Sequence, residues 1–237
     1  MKAWLWSAVV LGGLGAFALT QGAPVTSAHA ETDIEKTIES FIKNNPKLIA
    51  DTLDGYLMSK RLDDAHAAVK GDPTIGPKDA KVVMIEFGDY RCGYCRRVQD
   101  TLAELREEYK DRVLFSYKAF PILSEESFSA ALAVSAAHKQ GKFWEYNGKV
   151  WDNQSRLSED LYVELAEEVG LDMDKFNKDR ESDALKEMIG ASSELAQKNG
   201  GSGTPFFLIN GKGVSGAQPV EAFKATLDDM LETYSAL

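Results

Sequence analysis

The chain has 237 residues, 44% of them hydrophobic, a formal net charge of −10 and two cysteines. That length suits one medium domain with an appendage. The acidic balance suits a soluble protein, and the absence of a basic stripe disfavours nucleic acid as a partner.

Residues 1–30 read as an export signal: Lys2 supplies the charge, 3–19 are apolar, and Ala28-His29-Ala30 forms an A-x-A cleavage site. Lys2 is the only charged residue in that segment, so a cleaved chain would be one unit more acidic. The apolar stretch is short for a bilayer span. Export points to an oxidising compartment, the bacterial periplasm.

Residues 32–69 read as helix, opened by a capping box at Thr32 and Glu35. Asn44-Asn45-Pro46 interrupts it, with Asn45 placed to cap a second helix whose first residue is Pro46. Ile34, Ile38, Phe41 and Ile42 line one face, and Leu48, Ile49, Leu53, Tyr56 and Leu57 continue it at helical spacing. Such a face needs a partner: its own domain, or another copy of the chain. Residues 71–77, rich in Gly and Pro, form a linker or short edge segment.

The pattern then changes. The nearly continuous apolar run at 82–87 suits a central strand. A helix over 92–109 carries Val98, Leu102, Leu105 and Tyr109 on one face, and a second strand follows at 113–118. Together they predict a parallel βαβ unit. Helical periodicity fills 124–198, with breaks at Gly141, Asn153 and 170–172. A third strand at 206–209 meets the hairpin signal Asn210-Gly211 and a short strand near Val214. A last helix begins near Pro219 and holds Phe223, Leu227 and Leu231.

The two cysteines form Cys92-Gly93-Tyr94-Cys95, at the point where the loop after the first central strand opens a helix. A zinc site would need four ligands, and His66 and His138 have no matching spacing. A purely structural bridge would close a four-residue loop and constrain the unfolded chain little. Redox exchange fits the position best. Unpaired N–H groups and the helix dipole stabilise a thiolate, lowering its pKa from about 8.5 into the ~3.5–7.5 range. Cys92 is then the attacking sulfur and Cys95 the resolving one. Glu86, the single acid of an apolar strand and six residues before Cys92, reads as a buried carboxylate with a raised pKa.

With these features in order, the chain resembles a DsbA-family thiol–disulfide oxidoreductase over residues 75–235. The features are Glu86 ahead of the C-x-x-C, the long helical stretch, Phe143-Trp144-Glu145-Tyr146, and Gly203-Thr204-Pro205 before the third strand. The resemblance implies an α/β thioredoxin fold with a helical insert at about 122–200. The domain would span 71–237, preceded by a helical extension at 31–70. It implies a redox-active Cys92–Cys95 disulfide, with Glu86 as proton acceptor and Lys118 as its partner. It also implies a cis peptide before Pro205, with Thr204, Pro205, Gly93 and Tyr94 against substrate. No cofactor or metal is called for.

Gly93-Tyr94 together with Thr204 is similar to the active sites of DsbC-type isomerases, and the extension to that of ScsC-like oligomeric members. The leading expectation is therefore an exported homodimeric or homotrimeric disulfide isomerase or reductase. It would act on exported proteins with cysteines and be recycled by a membrane reductase of DsbD or ScsB type. The alternative is a dithiol oxidase served by a quinone-linked DsbB-type partner. More remote is a non-redox holdase chaperone.

Overall fold

The computed structural model describes residues 27–237; the expected signal at 1–30 lies outside the described residues except for its last four. The chain divides into two compact units between Ala50 and Asp51. The first contains helix α1 (Ser27–Asn44) and the start of α2 (Pro46–Ala68). Helix α1 begins before Thr32, because Ala28 and Ala30 are strong helix formers. Pro46 opens α2 as its spacing predicted, while the Asn45 side-chain amide turns back and donates to the Phe41 carbonyl at 2.8 Å.

The second unit is built on a five-stranded sheet of order β1-β3-β2-β4-β5. The strands are β1 (Thr74–Ile75), β2 (Val82–Gly88), β3 (Val113–Ala119), β4 (Phe206–Ile209) and β5 (Lys212–Ser215). β2 and β3 run parallel, joined across α3 (Gly93–Glu108); the other pairs are antiparallel. The β4–β5 hairpin turns on Asn210 and Gly211, both at positive φ, as a two-residue primed turn requires. The buried Asn210 side chain also accepts from Val83 N and donates to Lys81 O, which closes the end of β2.

Alternation along the strands separates two cores. Val82, Met84, Phe115 and Phe207 pack under α3 and the last helix α9 (Val220–Thr233). Val83, Ile85, Phe87 and Leu208 pack against Ala65 near the end of α2, Val69 just beyond it, and Ala196. The end of α2 thus belongs to the thioredoxin-like unit, and the expected domain boundary at 70/71 moves to 50/51.

Between β3 and β4 lies the helical insert. Its helices are α4 (Glu125–His138), α5 (Phe143–Asp152), α6 (Glu159–Glu168), α7 (Met173–Glu181) and α8 (Asp183–Lys198). The expected breaks fall at Gly141, Asn153 and Gly170; a further one at Ser182, which caps α8, has no glycine to mark it. This is a thioredoxin fold with an inserted helical domain. All nine apolar residues expected to form the face on the first two helices are exposed, from 37% at Ile49 to 63% at Tyr56. No described helix is long and apolar enough to cross a membrane.

Candidate active site

Cys92 is the N-cap of α3, in extended backbone conformation, and its sulfur accepts from Cys95 N at 3.3 Å. Both cysteines are free thiols. Cys92 is 6% exposed and Cys95 0%, so the attacking sulfur is the more open of the two but is mostly covered. The Cys95 thiol donates to Cys92, and Thr204 and the backbone N–H groups of Cys95 and Tyr94 add to it. These outweigh burial and lower the Cys92 pKa to about 6. Burial pushes Cys95 far the other way.

Thr204-Pro205 is a cis peptide at the head of β4. The Cys92 thiol donates to the Thr204 carbonyl at 3.3 Å. The tertiary structure therefore brings Thr204 and Pro205 to the cysteines. Gly93 faces open space, and Tyr94 is exposed with the Arg97 guanidinium 4.2 Å over its ring.

Glu86 lies buried on β2, 5% exposed, and desolvation raises its pKa to about 7 against the opposing pull of Arg106 and Gln99. Lys118 is not its partner. In the parallel pair Glu86 stands level with Tyr117 and Phe87 with Lys118, so Lys118 projects from the other face of the sheet. Its amine pairs with Asp72 at 2.7 Å, both side chains largely buried. The positive charge nearest in effect to Glu86 comes from Arg106 on α3, held over the Trp144 ring at 5.2 Å.

Three residues at the site went unnoticed in the sequence. Asp89, fully buried, accepts from Arg91 N, Ile122 N, Leu123 N and Ser127 Oγ, and its carbonyl accepts from Cys92 N. It ties the loop before Cys92 to the first residues of the insert. Gln154, in a 3-10 turn after α5, donates to the carbonyls of Tyr90 and Cys92, both at 2.9 Å. Gln99 donates to Glu86 Oε1 at 2.8 Å and to the Cys95 carbonyl at 3.1 Å. A polar residue one turn after Cys95, on the buried side of α3, was a readable signal for Gln99. Gln154 had no local signal. Among the described residues no cluster of three or more His, Cys, Asp or Glu could hold a metal ion.

A thiolate-forming cysteine, a shielded second thiol and a buried acid with a pKa near neutrality can carry out disulfide exchange without a cofactor. Residues 68–229 match the family model described as thioredoxin. A thioredoxin-like oxidoreductase from Silicibacter pomeroyi DSS-3 superposes with a TM-score of 0.64 at 31% identity, covering 68% of this chain and 93% of that one. A linker-deletion mutant of Proteus mirabilis ScsC superposes with a TM-score of 0.62 at 24% identity, covering 89% and 99%. "Probable disulfide bond formation protein D" of Bacillus cereus is 34% identical over 150 residues, 58% of this chain and 69% of that protein. The chain also matches Na(+)/H(+) antiporters, 31% identical over 162 residues for NhaA 1 of Mycobacterium sp. (strain KMS), but spans only 26% of that relative's length.

Proposed function

The chain belongs to the thioredoxin family, and from that premise we propose that it is a DsbA-type protein thiol–disulfide oxidoreductase working through Cys92 and Cys95. The observation that carries this reading is the Cys92 sulfur, with its pKa lowered to about 6, at the head of α3 and against Thr204.

The Cys92 thiolate attacks a substrate disulfide; a Cys92–substrate disulfide forms and the other substrate sulfur leaves as a thiolate. Cys95 then gives its proton to Glu86 and attacks Cys92, releasing the second substrate sulfur and leaving the Cys92–Cys95 disulfide. The Thr204 main chain beside the cis-Pro receives the substrate backbone. Exposed Tyr94, Ile122 and Leu123 offer apolar contact to an unfolded polypeptide.

The direction proposed first is isomerase or reductase, in an exported oligomer. Tyr94 carries no charge to stabilise the thiolate, and the exposed apolar residues of α1 and α2 suit assembly with further copies, two or three per particle. A membrane reductase would keep it reduced in the periplasm. The dithiol-oxidase reading has its own support in the Bacillus cereus relative, a probable disulfide bond formation protein. Insulin reduction and refolding of scrambled ribonuclease, run beside oxidation of reduced ribonuclease, separate the two. Loss of all three activities in Cys92→Ala is expected; their absence from the unaltered chain as well would leave a non-redox binding role.

A further inference from the structure

We propose that Gln99 is a positioning residue of the exchange reaction, its side-chain amide holding the Glu86 carboxylate beside Cys95. The inference rests on the reading of Glu86 as proton acceptor.

Gln99 follows Cys95 by one turn of α3, so both look toward β2. A primary amide has two N–H donors, and both are engaged: one on Glu86 Oε1 at 2.8 Å, the other on the Cys95 carbonyl at 3.1 Å. The acid and the main chain of the resolving cysteine are thus bridged by a single group. Donation to a carboxylate favours its ionised form, against the burial of Glu86. The other groups that act on this carboxylate are Arg106, Cys92 and Cys95 on α3, Tyr117 on β3 and Tyr90 before Cys92. Phe207 stands opposite on β4 and brings no charge.

In resolution the proton of Cys95 passes to Glu86. The Cys95 sulfur bonds Cys92 Sγ, the bond from Cys92 to the substrate sulfur breaks, and that sulfur departs with the electron pair. Gln99 takes no part in the bond changes. It occupies Oε1, leaves Oε2 for the proton, and sets how basic the acid is.

The test uses 5,5′-dithiobis(2-nitrobenzoate) with the reduced full chain. Its first thiolate release reports attack by Cys92, and its second reports resolution by Cys95. The second phase is expected to rise through an inflection near pH 7, where Glu86 ionises. In Gln99→Leu that inflection moves to higher pH, and the rate on its acid side falls about tenfold per unit moved. Gln99→Glu, which keeps size and polarity but sets a second carboxylate beside Glu86, moves it further the same way. The first phase keeps its own pH dependence in both. If Glu86→Gln leaves the second-phase inflection in place, the acid reading fails. If Glu86→Gln removes it while both Gln99 variants leave it unmoved, the bridge is overturned and the acid reading stands. Loss of the first phase along with the second in both Gln99 variants would make Gln99 a folding residue and equally overturn the inference.

Discussion

The Cys92 thiol and the Thr204 carbonyl lie 3.3 Å apart although 112 residues separate them. The contact joins the head of α3 to the cis-Pro turn before β4, so the attacking sulfur and the main chain that would align a substrate are one local feature. Cys92 draws its thiolate stabilisation chiefly from Cys95, with smaller support from the Thr204 side chain rather than its carbonyl.

Iodoacetamide labelling of the reduced protein is therefore expected to titrate near pH 6 and to fall on Cys92, while Cys95 stays unlabelled until the chain unfolds. Cys95→Ala removes the largest donor to the thiolate and should move the Cys92 inflection upward, toward the ordinary thiol range. Peptide mapping that finds label on Cys95 first would reverse the assignment of the two sulfurs.

Glu86 makes stability depend on pH. Its folded pKa, about 7, lies above the ordinary value of 4.5, so between those pH values the folded chain binds more protons than the unfolded one. Stability from this group is full below about pH 4.5 and declines as pH rises to 7, by roughly 3 kcal/mol. Glu86→Gln cannot ionise. Urea unfolding should find it gaining on the wild type by about that amount between pH 5 and pH 8; parallel pH profiles would refute the raised pKa.

Lys118 and Asp72 form a largely buried ion pair on the far side of the sheet from Glu86. Lys118→Met leaves a buried carboxylate uncompensated and is expected to cost up to ~3–5 kcal/mol, with much of the loss recovered in the double variant Lys118→Met/Asp72→Leu. The pH dependence of Cys95 resolution should not move. A shifted profile would restore Lys118 to the redox site.

The exposed apolar residues of α1 are tested without cutting the chain, because the end of α2 is part of the core. Ile38→Glu/Phe41→Glu should turn an oligomer into a monomer by light scattering, keep insulin reduction and lose ribonuclease refolding. Each such side chain is worth roughly 1.5–3 kcal/mol when buried. A wild-type mass of one chain would dismiss the assembly.

The sequence by itself determined the elements and the two sulfurs. The apolar run of β2, the helical face of α3 and the Asn210-Gly211 turn are local patterns, written over a few residues by side-chain alternation, helical spacing and turn geometry. The place of Cys92 at a helix start is equally local, and it sets the polarity of the cysteine pair. Only the tertiary structure decided what surrounds them. Lys118 and Tyr117 differ by one position, and one position in a strand exchanges the faces of the sheet; pairing register, not composition, put Tyr117 level with Glu86 and sent Lys118 to Asp72. Thr204 and Gln154 act on the Cys92 loop, and Asp89 within it binds Ile122 and Leu123, across chain distances that no short-range pattern encodes, because these contacts exist only once α3, the insert and the turn before β4 have packed together.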